Sequence, residues 1–592
     1  MLFFLFWLLP LAGAASTELR AEPQLVSVFP LGGRQGTTFC VEIRGKYLHD
    51  VSDAWFDCGD LKARIQKIEK IETKEEPAKK AKTDPSKSSK PPVEYLLSLE
   101  IDAAPQALPG AHYFRLISPG GISNALLLQV SSEPVVLEDQ NSTKAAGEGQ
   151  EIHPPVAVNG KISEAGEVDY YSFTASKDDQ WLFEIRSAGP GTFDPVLTLY
   201  QPLGSWLDPK RLRRLAMNDE PNIYSWNAPR LSYRFTKSGR YIVAVEAFSG
   251  VTTPHCAYQL RLVRTHDSHT AEKQGCYSSP LAHNSEPWKE RDFLRKLDTG
   301  RIDAVFSRTL KAPERSTTAV TESEPNDEPA QALSITIPAL LEGTINRPGD
   351  RDYYKFTAGA GEGFVFEIQT PEQVPYQFMP KVAVFDGKGE EIVNNVYRKK
   401  VSPETWLNLL EPKTVYTFAE AGDYYLQVRD LTSRNADSNF SYRILVRKKI
   451  PHVGEVKITE DYINLHSGQA RKVSVTVEQE EGFDGFVTLF VENLPPGVQV
   501  FPAAEVVPEK TGDAYDVPNP RYVPKANNVT LMFVADPEAP PCRTPYTAAV
   551  KARAVVGGKT GELIVAKQIL FMVVRPEKTA EEKTAPKAVA QK

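Results

Sequence analysis

Glu322, Glu324, Asn326 and Asp327 place four hard oxygen side chains within six residues of a 592-residue chain. Hard oxygens in that density suit calcium, which takes six to eight such ligands, so a second segment would have to complete the set. The competing reading is an ordinary solvated linker. His266-Asp-Ser-His269, with Cys276 nearby, is the nearest approach to a transition-metal set. Its spacing matches no known metal pattern and it lies in a polar stretch, so it reads as incidental. There is no His-Glu-x-x-His helix, Gly-x-Ser-x-Gly elbow, phosphate loop or Cys-x-x-Cys-His haem site. The members of a Ser/His/Asp triad converge only in space, and with 76 acidic residues carboxylate pairs discriminate nothing.

The elements that must position the acids occur twice. Gly343-Thr-Ile-Asn-Arg-Pro-Gly-Asp-Arg-Asp-Tyr-Tyr-Lys-Phe-Thr-Ala358 answers Gly160-Lys-Ile-Ser-Glu-Ala-Gly-Glu-Val-Asp-Tyr-Tyr-Ser-Phe-Thr-Ala175, 183 residues upstream (343 − 160). At the same offset Phe183-Glu184-Ile185 answers Phe366-Glu367-Ile368, Tyr233-x-Phe235 answers Tyr416-x-Phe418, and Gly239-x-Tyr241 answers Gly422-x-Tyr424. A register kept over that length is a duplicated domain. Its alternating aromatic and β-branched runs read as strands, so the fold class is all-β. Tyr353 and Phe356 point to opposite strand faces, as do Tyr170 and Phe173. The face of Phe356 and Tyr354, like that of Phe173 and Tyr171, is expected to be the buried one.

Glu322-Ser-Glu-Pro-Asn-Asp327, the Gly343–Ala358 motif and Ala421-Gly-Asp-Tyr-Tyr-Leu-Gln-Val428 resemble the bacterial pre-peptidase C-terminal domain. The resemblance covers residues 133–265 and 322–448, the second copy more closely. It implies jelly-roll-like β-sandwiches similar to the collagen-binding domain of clostridial collagenases, and accessory, non-catalytic modules of secreted proteins, commonly trailing peptidases. It also implies that linker acids meet acids just before the Tyr-Tyr strand, here Asp350 and Asp352. The expected calcium set is therefore Glu322, Glu324, Asn326, Asp327, Asp350 and Asp352. The alternative keeps the linker solvated, with Asp352 capping a turn. The first copy retains Glu167 and Asp169 but has only Glu138, Asp139 and Asn141 scattered upstream, a poorer calcium set.

Flanking the copies, residues 23–131 show short strands with Gly/Pro turns and resemble the immunoglobulin-like IPT/TIG domain. An insertion at 66–92, with eight lysines against five acids, is expected to be disordered. Residues 453–576 resemble the immunoglobulin-like modules of bacterial exported proteins. The segment 266–321 carries an expected amphipathic helix from Ser285 to Leu297, and residues 577–592 read as a disordered tail. Residues 1–15 form an apolar run ending in small residues, which reads as a cleavable signal peptide with the mature chain beginning near Ser16. The expected location is secreted or periplasmic, with no transmembrane segment. A net charge of −7 argues against a nucleic-acid partner. Five cysteines allow pairings of Cys40 with Cys58 and Cys256 with Cys276, leaving Cys542 over. Trp181, Trp206, Trp226 and Trp406 read as core rather than as a ligand platform. The expected function is a non-enzymatic exported binding or adhesion protein engaging an extracellular or envelope macromolecule, protein or polysaccharide. The alternatives are an accessory or targeting subunit of an extracellular peptidase or other hydrolase, and an enzyme with an unrecognised site.

Overall fold

The structure, a computed structural model, describes residues 21–71, 93–140, 148–187, 195–203, 212–218, 229–247, 256–264, 319–368, 380–400, 406–411, 413–431, 440–508, 525–556 and 559–575. The expected signal peptide, the 285–297 helix, the His266/His269/Cys276 group, Trp206, Trp226 and the tail lie outside them. The described residues build four β-sandwiches in a row. No helix among them is long and apolar enough to cross a membrane.

The two copies share one topology. In the first, one sheet orders Val135–Leu137, Val156–Ile162, Cys256–Arg264, Gln180–Ser187 and Arg230–Arg234. In the second the matching order is Ala319–Thr321, Ala339–Thr344, Ser441–Lys448, Gly363–Ile368 and Lys413–Thr417. The facing sheets centre on Val168–Ala175 beside Gly239–Ala247, and on Asp352–Ala358 beside Gly422–Asp430. The second copy begins at least by Ala319, whose strand runs parallel to Ala339–Thr344. It also carries a hairpin, Val396–Lys400 with Trp406–Leu410.

Alternation decides which side chains fill these cores. Phe173 and Phe356 are both 2 % exposed, Tyr171 and Tyr354 fully buried, and each Phe packs among aromatic neighbours of the opposite sheet. Tyr353, on the other face, is covered as well, by the Phe385 ring and by the amide of Gln427. Trp181 is a core residue of the first copy.

In the first sandwich the strand Leu61–Lys70 runs antiparallel to Glu94–Ala103 as far as Lys70 beside Tyr95. Residues 66–70 are therefore sheet, a correction to the expected disorder from 66 onward. Ile65 and Ile68 supply the reason, since both pack against the core from that strand. The Cys40–Cys58 pairing does not form: Cys40 is exposed, while Cys58 lies against His112. Cys276 lies outside the described residues.

The four sandwiches are not beads on a string. Asn159 of the first copy donates to Gly32 O at 3.0 Å and Arg186 to Gln129 at 3.3 Å, while Arg261 forks onto Glu133, at the start of its own copy, at 2.8 and 3.1 Å. At the other end Arg447, 2 % exposed, donates to Glu481 of the last sandwich at 2.7 and 2.8 Å and to Glu367 of its own repeat at 2.6 Å. The first and last sandwiches then meet each other. Arg115 donates to Asp461 and lies over the Tyr462 ring, and Asn464 exchanges two 2.9 Å hydrogen bonds with the Ile122 backbone. Ile117, Ile122, Leu570, Met572 and Val574 form a separate apolar cluster there.

Candidate cation site at the start of the second repeat

The site is built on a tyrosine relay. Tyr442 donates to Asp352 Oδ2 at 2.6 Å, so the 2.7 Å contact between Tyr354 and Tyr442 has Tyr354 as donor. The relay lies directly over Gly343: a Cβ there would fall within the Tyr442 ring and hydroxyl. The first copy repeats this with Tyr171, Tyr258 and Asp169 at 2.6 Å each, over Gly160. The glycine that opens each motif is thus required by the tyrosine above it.

Glu322 is held from two sides. Its N–H donates to Glu342 O at 2.8 Å, and its Oε1 accepts from Thr344 N at 2.7 Å. The other oxygen faces Tyr442 and Asp352. Asp350 Oδ2 accepts from Asn346 N at 2.7 Å, closing the turn before the Tyr-Tyr strand. Asn326 is buried beneath, and its carbonyl accepts from Tyr353 N at 3.0 Å.

These anchors gather Glu324, Asp350 and Asp352, which bring one carboxylate oxygen each within 4.8 Å of the others. Asp350 Oδ1, Asp352 Oδ1 and both side-chain polar atoms of Asn326 are buried without a hydrogen-bond partner. Buried polar groups are ordinarily paired, so the orphaned oxygens of Asp350 and Asp352, which lie in one carboxylate cluster, leave room for a further partner. Burial, the adjoining Glu322 and the negative charge of Asp350 push Asp352 up to about 9. Burial, then Asp350 and Asp327, raise Glu324. A carboxylate cluster of this kind holds a proton until a cation relieves it.

Of the six expected residues, Glu324, Asp350 and Asp352 bring their carboxylates together, Glu322 lies against Asp352, and Asn326 is buried. Asp327 faces outward to Arg347 and accepts from Arg351 N at 3.3 Å. Arg347, over half exposed, also stands 3.9 Å from Glu324 and 3.8 Å from Asp350, a positive charge at the rim. Sequence reasoning had no signal for it. The residues present fit a hard divalent ion, since the orphaned atoms are oxygens and an amide on an otherwise anchored frame.

In the first copy Glu138 plays the part of Glu322, its N–H donating to Asn159 O and its carboxylate accepting from Lys161 N at 2.9 Å. Register then puts Gln140 at the position of Glu324. Glu167 stands where Asp350 does and spends one oxygen on Ser163 N and Glu164 N.

No family model matches the chain, and no curated protein matches it. Solved structures do align. The pre-peptidase C-terminal domain of a collagenase from Bacillus anthracis aligns at 13 % identity over 19 % of this chain and 94 % of its own, with a TM-score of 0.15. Domains 4 and 5 of the S-layer protein SbsC align at 14 % identity over 32 % of this chain and 89 % of theirs, TM-score 0.14. SGBP-B, from a xyloglucan utilization locus in Bacteroides uniformis, aligns at 11 % identity over 41 % of this chain and 73 % of its own, TM-score 0.13. Similarity at this level carries no argument about function.

Proposed function

We propose that the chain is an exported, non-catalytic binding protein that engages a macromolecule of the envelope or extracellular space, protein or polysaccharide, across its two like sandwiches. The observation supporting this is the frame. The second repeat is clasped to the last sandwich through the buried Arg447, the first repeat meets the first sandwich through Asn159 on Gly32 and Arg186 on Gln129, and the two outer sandwiches are docked on one another through Arg115, Asp461 and Asn464. Two copies of one module at a fixed separation suit an extended or repeating ligand, because the second contact becomes intramolecular once the first is made. Calcium, when bound by Glu322, Glu324, Asn326, Asp350 and Asp352, would supply charge neutralisation and tie the entering linker to the second repeat.

The test is retention of the full chain on insoluble polysaccharides, collagen and envelope fractions, in chelator and in calcium. Saturable retention on one class is the expected result. Failure to bind any of them, with turnover of a model peptide or glycoside by the purified chain, would overturn the reading.

A further inference from the structure

The first sandwich holds a second cluster, unrelated to the acids of the repeat. Asp57 and Cys58 follow the edge strand Asp53–Phe56, and His112 enters from the neighbouring strand Gly110–Ser118. His112 is fully buried at an inward-facing position, where a hydrophobic side chain would be usual. One ligand atom from each residue lies within 4.8 Å of the other two.

The arrangement around His112 is directional. Nε2 stands 2.7 Å from Leu108 O, which can only accept, so Nε2 carries the proton and donates. In the neutral ring the lone pair then sits on Nδ1. Facing Nδ1 are Cys58 Sγ at 3.2 Å and Asp57 Oδ1 at 3.4 Å. Asp57 is oriented in its turn, because its Oδ2 accepts from Tyr113 N at 3.0 Å and its own N–H donates to Tyr113 O at 3.0 Å. Its Oδ1 is buried and receives no hydrogen bond.

Three donors of different type, a cysteine sulfur, an imidazole nitrogen and a carboxylate oxygen, therefore lie within 4.8 Å of one another. Ligands about 2.0–2.3 Å from a single zinc ion at tetrahedral angles stand about 3.3–3.6 Å from one another. The observed separations of 3.2 and 3.4 Å are within a few tenths of that edge length. The imidazole N–H held by a backbone carbonyl and the carboxylate held by a backbone amide are the outer contacts that orient metal ligands. Cys58 is only half-buried, and a Cβ on the following Gly59 would meet nothing, so solvent reaches the cluster from that side.

We infer that Asp57, Cys58 and His112 form a binding site for a borderline divalent transition ion of the zinc class, with three protein ligands and a fourth position open beside Cys58. Mixed sulfur, nitrogen and oxygen donors select such ions over calcium or magnesium. The site is separate from the acids of the second repeat, which offer oxygens and an amide only.

Cobalt(II) reports the difference directly. The full chain, stripped with chelator, should take up cobalt with a thiolate-to-metal charge-transfer band and the strong visible absorption of a tetrahedral centre, both displaced by one equivalent of zinc. Cys58→Ser should abolish the charge-transfer band, whereas Cys40→Ser and Cys542→Ser should leave it. His112→Gln should weaken cobalt binding by more than about a hundredfold, exceeding the loss typical of an outer-contact change. Asp350→Asn/Asp352→Asn should not alter the band. If His112→Gln fails to fold, the wild-type and Cys58→Ser spectra still decide. Absence of a charge-transfer band in the wild type, or its persistence in Cys58→Ser, would overturn the site and leave a proton on Nδ1 as the charge that the cluster holds.

Discussion

The two repeats carry the same relay of two tyrosines and an aspartate over the same glycine, yet they treat the surrounding acids differently. In the first, Glu138 and Glu167 each have an oxygen engaged by backbone N–H groups, and the place of Glu324 falls to Gln140. In the second the same two anchors are kept by Glu322 and Asp350, but Glu324 adds a charge, and Asp350, one methylene shorter than Glu167, leaves Oδ1 buried and unbonded. A duplicated frame thus gathers a three-carboxylate cluster in one copy through two changes at its rim. The relay is the common scaffold; the charge count is what differs.

The buried arginines, Arg447 clasping two sandwiches and Arg261 clasping the start of its own copy, are the largest lever on that comparison. Arg447 has two carboxylate partners that are at most 1 % exposed, Glu367 and Glu481, while the partners of Arg261, Glu133 and Glu184, are 10 and 13 % exposed. Removing one member of a buried set strands the others, at a cost of about 3–5 kcal/mol. Arg447→Ala should reach that range in denaturant unfolding and uncouple the second repeat from the last sandwich in calorimetry. Arg261→Ala should cost less, because water can reach the carboxylates it leaves. Equal losses for the two variants would mean that the clasps are equivalent.

Calcium should separate the repeats next. An ion that binds only the folded second repeat stabilises it by about 2.7 kcal/mol at a hundredfold excess over its dissociation constant. The transition assigned to the second repeat should rise in millimolar calcium and that of the first should stay in place. Asp350→Asn/Asp352→Asn should remove the response. Magnesium should substitute poorly, since it demands a tighter octahedron. An identical melting profile in chelator and in calcium would leave the acids as a protonated structural cluster.

How far these features could be read in advance follows from the range of each interaction. The sandwiches were legible because strand alternation is local and because the motif is written twice. Asp350 and Asp352 came from resemblance, and the structure gathers them with Glu324, but Asp327 turns to Arg347, a partner that no motif marks. Arg115 and Asp461 are 346 residues apart, so no pattern in either segment foretold the docking of the first sandwich on the last. Cys58 and His112 are 54 apart and match no short metal motif. Cys58 was weighed only against Cys40, though a histidine at an apolar strand position was a usable signal.

The glycines offer a smaller and more symmetric effect. Gly160→Ala and Gly343→Ala each push a methyl into the tyrosine overhead, and overpacking of a filled core costs about 1–3 kcal/mol. The two should cost alike, since each Cβ would also meet a further oxygen, Tyr171 Oη at 2.8 Å from Gly160 and Glu322 Oε2 at 2.7 Å from Gly343. Paired denaturation curves test this. A loss confined to one copy would show that the relay is not the shared scaffold.

The finest test is a pH slope. In the folded chain Asp352 holds its proton up to about pH 9, because burial, Glu322 and Asp350 all oppose its charge. Unfolded, it releases that proton near about pH 4. Between those limits the folded state binds more protons, so this contribution to stability is complete below about pH 4 and is lost as pH rises towards 9. One proton sets the ceiling, about 1.4 kcal/mol for each pH unit. Glu138, raised by burial in the first repeat, contributes a slope of the same sign, so the measurement must be a difference between wild type and Asp352→Asn. Asparagine keeps an acceptor for Tyr442 and carries no charge. In chelator, wild type should lose stability relative to Asp352→Asn between pH 5 and 9, an estimate bounded by the same one-proton limit. In saturating calcium the ion replaces the proton, and the wild-type curve should flatten over that window. A difference that stays flat in chelator would show that Asp352 is ionised throughout.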